Sequence, residues 1–218
     1  MMKKGLFITF EGPDGSGKTT QMKLLSDYLR SKGLDVVTTI EPGGTEIGRK
    51  IRKILLDKEN PDMSPKAEAF LFLASRAELV SKVIAPALSE GKIILCDRFF
   101  DSAVVYQGIA RGLGEKQILE MSLWATGGVV PDITFLLSVK VSKGKKRMDA
   151  VGKKTDRIEL EKDSFKEKIY RGYLDIARKN KGRIVIINGE ENIENIFKEI
   201  KSKVCGYLEK RDENTGKY

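Results

Sequence analysis

A chain of 218 residues with 40% hydrophobic content can bury one substantial core, or one core with a small flap. It contains no histidine, which excludes His-based triads and His-ligated zinc but not phosphoryl transfer, a chemistry that relies on positioning and cations. The net charge of +9 is concentrated: Lys140, Lys143, Lys145, Lys146, Arg147, Lys153, Lys154 and Arg157 face only Asp149 and Asp156 between residues 140 and 158, a cluster that suits a phosphate-closing flap at least as well as a nucleic-acid face.

Residues 5–10 form an apolar run read as a buried strand. The pair Lys3-Lys4 before it resembles the start of a signal peptide, but the run is short and ends in Glu11. No run approaches the ~20 apolar residues of a membrane span, so a cytoplasmic protein is expected. Next comes Gly12-Pro13-Asp14-Gly15-Ser16-Gly17-Lys18-Thr19, then a helical pattern over 17–31 that opens with Thr20. The glycines let successive backbone N–H groups turn toward one anion, and the helix start adds its own unpaired N–H groups. Lys18 can reach the β- and γ-phosphates of a nucleoside triphosphate, and the Thr19 hydroxyl can ligate Mg2+.

A strand is expected over 34–39 and a helix over 45–57. Ser64-Pro65 then reads as a capped helix start, with the helix running over 65–90 and Pro86 as a kink or restart. Phe72 and Arg76 stand one turn apart on it, able to hold a flat base with polar edges. The strand over 92–96 carries Cys96, read as a reduced core thiol, and ends in Asp97-Arg98. There Asp97 can bind Mg2+, directly or through water, and Arg98 can grip phosphate oxygens. A helix over 115–126 and a strand over 132–137 follow. In the basic stretch after them Gly144 and Gly152 are candidate hinges. A helix over 161–180, a strand over 183–187 and a helix over 192–210 complete the series, and residues 211–218 read as a polar, frayed tail. Strands alternating with helices imply an α/β architecture with a mostly parallel sheet covered on both faces, whose ligands gather at the strands' C-terminal ends.

Five segments in order resemble the thymidylate kinases. They are Phe10-Glu11-Gly12-Pro13-Asp14-Gly15-Ser16-Gly17-Lys18-Thr19-Thr20; Glu41-Pro42-Gly43-Gly44-Thr45-Glu46; Phe70-Leu71-Phe72-Leu73-Ala74-Ser75-Arg76-Ala77; Asp97-Arg98-Phe99 with Asp101-Ser102 and Tyr106-Gln107-Gly108; and Asp156-Arg157-Ile158-Glu159. The resemblance implies a three-layer P-loop kinase fold with a five-stranded parallel sheet flanked by helices. It implies one domain over 1–210 with a small lid near 140–158, usually as a homodimer. The implied reaction is ATP- and Mg2+-dependent phosphorylation of dTMP to dTDP, which feeds DNA synthesis, with no stable nucleic-acid or membrane partner. It also implies that Phe72 stacks on thymine, Arg76 hydrogen-bonds the base and Gln107 lies near it. Tyr106 would crowd the sugar, with Ser102 nearby. Arg98 would hold the acceptor phosphate, Asp14 would approach the sugar 3′-hydroxyl, and Glu11 and Asp97 would sit near the metal.

Three positions depart from the pattern. Ile40 stands where many relatives carry arginine, so one phosphate contact is either missing or supplied from elsewhere, for which Arg49 is the candidate. Ser138 replaces a commoner aspartate. Position 15 is glycine, so the P-loop supplies no arginine and a lid cation is needed: Arg147, Lys153, Lys154 or Arg157. A kinase of AMP, CMP or UMP would share the P-loop and Asp97-Arg98 but not the Phe72/Arg76 and Tyr106/Gln107 pairs. A guanine-reading Asn-Lys-x-Asp motif is lacking, and no nucleic-acid-binding module is recognisable.

Overall fold

The computed structural model describes residues 5–150, 152 and 155–215. Five strands, β1 (Leu6–Glu11), β2 (Val36–Ile40), β3 (Ile93–Asp97), β4 (Ile133–Ser138) and β5 (Ile184–Asn188), form one sheet in the order β2-β3-β1-β4-β5. Every pairing is parallel. β1 and β3 are buried along their whole length, as expected for strands covered on both faces. The edge strands β2 and β5 are only partly buried.

Alternation along β1 assigns the two layers. Leu6, Ile8 and Phe10 pack with Leu25 and Leu29 of α1 (Lys18–Ser31) and with Ile196, Ile200 and Val204 of α9 (Ile193–Thr215). Phe7 points the other way, into a cluster with Leu79, Val80, Ile84, Ala87 and Phe99. Each such side chain, removed from water, contributes about 1.5–3 kcal/mol. Under β4 a third cluster joins Leu136 to Ile169, Tyr173 and Ile176 of α8 (Asp163–Lys179).

Each expected strand is present within one or two residues of its sequence bounds, and α2 (Glu46–Leu56) and α6 (Glu115–Ala125) also match. The cap expected at Ser64 is in place, and Thr45 caps α2 in the same way. Thr45 Oγ1 accepts from Gly48 N–H at 2.9 Å, and Ser64 Oγ accepts from Ala67 N–H at 3.3 Å.

Four features add to or differ from expectation. First, the long helix is divided, in keeping with the kink or restart expected at Pro86, into α3 (Pro65–Leu79), a π-helical stretch Val80–Ile84 that was not expected, and α4 (Ala85–Ser89). Pro86 lacks an N–H, so the turn before it cannot keep its α pattern and widens. Second, α5 (Phe100–Ala103) and the π-helical stretch Val104–Ala110 fill a segment with no expected helix. Third, residues 141–150 of the basic stretch form helix α7 (Val141–Ala150). Gly144 lies inside this helix, so the hinge expected there is corrected: a Cβ on it would stand 2.6 Å from the Asp14 carbonyl oxygen, and the residue is a close-approach point. Gly152 does occupy a turn, with φ of 60°. Fourth, α9 continues to Thr215, past the expected end at 210.

Candidate active site

Register brings the C-terminal ends of the central strands together. Phe10 of β1 and Ile40 of β2 each pair with Asp97 of β3. Arg98 N–H donates to the Phe10 carbonyl and Glu41 N–H to the Asp97 carbonyl. Above this rim lies a cleft of about 780 Å3, lined on one side by residues Asp14 to Gln21 and on the other by Phe72, Tyr106 and Gln107.

On the P-loop side, Gly15 has φ of 73°, and a Cβ there would stand 2.3 Å from the Gly144 carbonyl oxygen. Glycine is therefore required both for the turn and for the approach of α7. Lys18 folds back to donate to the carbonyls of Gly12 (3.1 Å) and Pro13 (2.9 Å) and to Ser16 Oγ (3.4 Å). Burial, and then the charge of Arg98, lower its pKa to about 8. Thr19 Oγ1 donates to Asp97 Oδ2 at 2.6 Å. A hydroxyl beside a carboxylate at the start of a P-loop helix is a donor set suited to Mg2+, which takes oxygen ligands and keeps waters and phosphates as the rest. Glu11, expected beside the metal, is not among the cleft-lining residues. Its Oε1 accepts from Phe99 N–H, and its Oε2 from the hydroxyls of Ser102 (2.6 Å) and Tyr173 (2.9 Å). Burial, followed by the nearby Asp101, raises its pKa to about 7.

Arg98 lines the cleft. Its backbone has φ of 70°, an uncommon value for a residue with a side chain and the kind of strain that collects at functional sites. Nη2 donates to Asp14 Oδ1 at 2.7 Å, and Nη1 donates to Tyr173 Oη at 2.9 Å and Ser102 Oγ at 3.2 Å. The guanidinium lies 5.4 Å from the Tyr106 ring centre. Burial pushes the Tyr106 phenol well above its ordinary pKa, so it stays neutral. Arg49 is exposed, but Arg52, one turn along α2, lines the cleft and donates to the Pro42 carbonyl at 2.8 Å. Arg52 and Arg98 thus present two guanidinium groups to one space. Sequence reasoning missed Arg52 and Tyr173; the amphipathic spacing of α2 is a signal that could have favoured Arg52 over Arg49.

On the far wall, Phe72 lines the cleft as expected, but Arg76 is not brought to it. Arg76 is fully buried: it donates from Nε to Glu41 Oε2 at 2.9 Å, from Nη2 to Glu41 Oε1, and from Nη1 to Ser122 Oγ at 2.9 Å. A guanidinium sealed from water needs an anion beside it, and Glu41 is that anion. Gln107 lines the cleft and donates from Nε2 to Glu68 Oε1 at 2.9 Å.

Of the four candidate lid cations, Arg147 reaches the cleft. It donates to the Gly189 carbonyl at 2.9 Å and lies 3.5 Å from the Gly15 carbonyl. Arg157 is a correction: it is buried away from the cleft, donating to the Leu55 carbonyl at 2.8 Å and to Glu68 Oε2 at 2.6 Å. Lys153 and Lys154 lie outside the described residues. The assembly can cradle a polyphosphate on main-chain amides and Lys18, and a second phosphate between Arg52 and Arg98, a short distance along the same cleft.

The model of the thymidylate kinase family matches residues 10–200 of the chain. A thymidylate kinase from Exiguobacterium sibiricum is 42% identical over 208 residues, covering 95% of this chain and 98% of the relative. One from Geotalea daltonii is 45% identical over 210 residues, covering 94% and 98%. The crystal structure of thymidylate kinase from Ehrlichia chaffeensis is similar with a TM-score of 0.76 and 32% identity, over 92% of this chain and 99% of that one.

Proposed function

The chain belongs to the thymidylate kinase family, it phosphorylates dTMP to dTDP with ATP, and we propose the following roles for its residues. The amides of residues 12–20 and Lys18 hold the ATP phosphates. Thr19 and Asp97 would hold Mg2+, which would supply positive charge to the triphosphate. Phe72, Tyr106 and Gln107 receive the deoxynucleoside, with Arg76 behind them fixing the Glu41 turn rather than touching the base. Arg52 and Arg98 clamp the acceptor phosphate, and Asp14 and Ser102 orient the Arg98 fork.

An acceptor phosphate oxygen then attacks the γ-phosphorus in line, and ADP leaves. That oxygen is already an anion at neutral pH, so no strong base is needed, in keeping with the absence of histidine. Lys18 and Arg98 share the charge that develops, and Arg147 is the lid cation. Residues 140–158 act as the lid over the single kinase domain and exclude water from the γ-phosphoryl group.

The observation that carries this reading is the cleft lined together by the P-loop, Arg98, Phe72 and Gln107. The experiment is ADP release with ATP–Mg2+ and a panel of nucleoside monophosphates. dTMP is expected to be preferred, and equal turnover of AMP or CMP would overturn the base assignment. Replacing Lys18 by Ala is expected to lower kcat by ~10³ or more.

We also propose a homodimer, supported by exposed apolar residues on three packed helices: Ile47 and Ile54 of α2, Phe70 of α3 and Trp124 of α6. A cytoplasmic location agrees with two free cysteines and with the finding that no helix among the described residues is long and apolar enough to cross a membrane. No stable nucleic-acid partner is proposed, because the basic cluster serves the lid.

A further inference from the structure

Glu68, on α3, is 1% exposed and faces none of the cleft, yet it holds three side chains from two segments that border it. Its Oε1 accepts from Gln107 Nε2 at 2.9 Å and from Arg111 Nε at 3.1 Å. Its Oε2 accepts from Arg111 Nη2 at 3.1 Å and Arg157 Nη2 at 2.6 Å. Burial alone would raise its pKa, but hydrogen bonds from Arg111, Gln107 and Arg157 outweigh that and lower it, so the group is a carboxylate.

A carboxylate only accepts hydrogen bonds, whereas a glutamine amide has a donating end and an accepting end. Facing Glu68, Gln107 must turn its NH2 toward the carboxylate. Its Oε1 is then the free end. That oxygen has no hydrogen-bond partner among the described residues, and the side chain lines the cleft. An accepting oxygen in that place requires a donor on the ring edge that meets it. The N3–H of thymine or uracil is such a donor. Cytosine presents a bare ring nitrogen there, and two lone pairs would meet without a proton between them.

We propose that Glu68 is a positioning residue for base selection: by fixing the Gln107 amide it makes the cleft accept nucleobases with an N3–H and reject those without one. The proposal rests on the assignment of the base to the Phe72 and Gln107 wall.

The Glu68→Gln variant tests it. The carboxamide oxygen of the new side chain takes the position of Oε2, where two arginine NH2 groups donate, and its NH2 takes the position of Oε1, where one guanidinium N–H remains to oppose it. That NH2 donates to Gln107, which turns its own NH2 into the cleft. The ratio of kcat/KM for dTMP to that for dCMP is expected to fall about tenfold or more, with dCMP turnover rising. An unchanged ratio in a folded Glu68→Gln protein overturns the proposal. In a Gln107→Ala background the same change should leave the ratio where Gln107→Ala alone puts it; a further fall would mean that Glu68 acts by another route and would overturn it as well. Should Glu68→Gln not fold, the wild-type protein gives the answer by NMR. The Gln107 side-chain NH2 protons are expected to be protected from solvent exchange without nucleotide, and exchange at the rate of a free amide would sink the idea. Phe72→Ala separates the two levels. If it leaves the KM for dTMP unchanged, the base assignment fails. If it raises that KM while Glu68→Gln keeps the ratio, the Glu68 proposal alone falls.

Discussion

Two buried titratable side chains, Lys18 in the cleft wall and Glu11 behind it, give the enzyme distinct pH responses. Lys18 has a pKa of about 8 in the nucleotide-free protein, and phosphates will favour its charged form. ATP binding should therefore take up protons near pH 8 and weaken by up to about tenfold per pH unit above it. Calorimetry in two buffers of different ionisation enthalpy checks this, and equal heats would refute it. Glu11 works in the opposite direction for folding. Its folded pKa of about 7 exceeds its ordinary 4.5, so the native state binds the extra proton between these values. The stability it contributes is complete below pH 4.5 and is lost as pH rises through 7, amounting to about 3 kcal/mol. Glu11→Gln should remove that pH dependence in denaturant titrations at pH 4.5 to 8. At this scale the P-loop was legible because it is contiguous and each residue type has one chemical use. Tyr173 was not: it meets Glu11 across 162 positions of sequence, and nothing in its own neighbourhood marks it. Glu11 and Arg157 were misplaced for a related reason, since sequence gives an acid or a base but not the partner that claims it.

Elements defined by apolar spacing were readable to within a few residues, and those without it were not. The α7 sequence buries only Gly144 among its ten residues, so no stripe announces the helix. The stretch Val104–Ala110 winds as a π-helix, with Arg111 N–H donating to the Tyr106 carbonyl, and a period of 3.6 does not describe it. It also carries Tyr106 and Gln107, so the wider turn occurs in the wall of the cleft. The contact of α7 with the P-loop makes its own prediction. Gly144→Ala places a methyl group 2.6 Å from the Asp14 carbonyl oxygen, inside any normal contact distance. Overpacking of this kind costs about 1–3 kcal/mol, and if it falls on the docked lid, kcat should drop about ten- to a hundredfold. Steady-state kinetics read this against an unchanged circular dichroism spectrum; wild-type kcat would show that the contact does not matter for turnover.

For the whole molecule, alternating strands and helices were enough to foresee a mostly parallel sheet, because strands buried on both faces must be apolar throughout, while the five-stranded parallel form came from the family resemblance. Strand order was beyond such reasoning, since it depends on pairings between distant segments. The exposed side chains on α2, α3 and α6 lead to a prediction at this scale. Phe70 is 59% exposed and Trp124 86% exposed. Replacing both by Glu should turn the proposed dimer into a monomer in sedimentation equilibrium, with the fold retained; an unchanged mass would refute this face as the subunit contact. The carboxylate of residue 68 has a consequence for redesign. It binds the amide of Gln107 on one side and the guanidinium of Arg157, at the foot of the basic flap, on the other. Retuning the enzyme toward a cytidine nucleotide through this acid would therefore disturb the flap's footing, and a variant selected for that taste should carry a second, compensating change at Arg111 or Arg157.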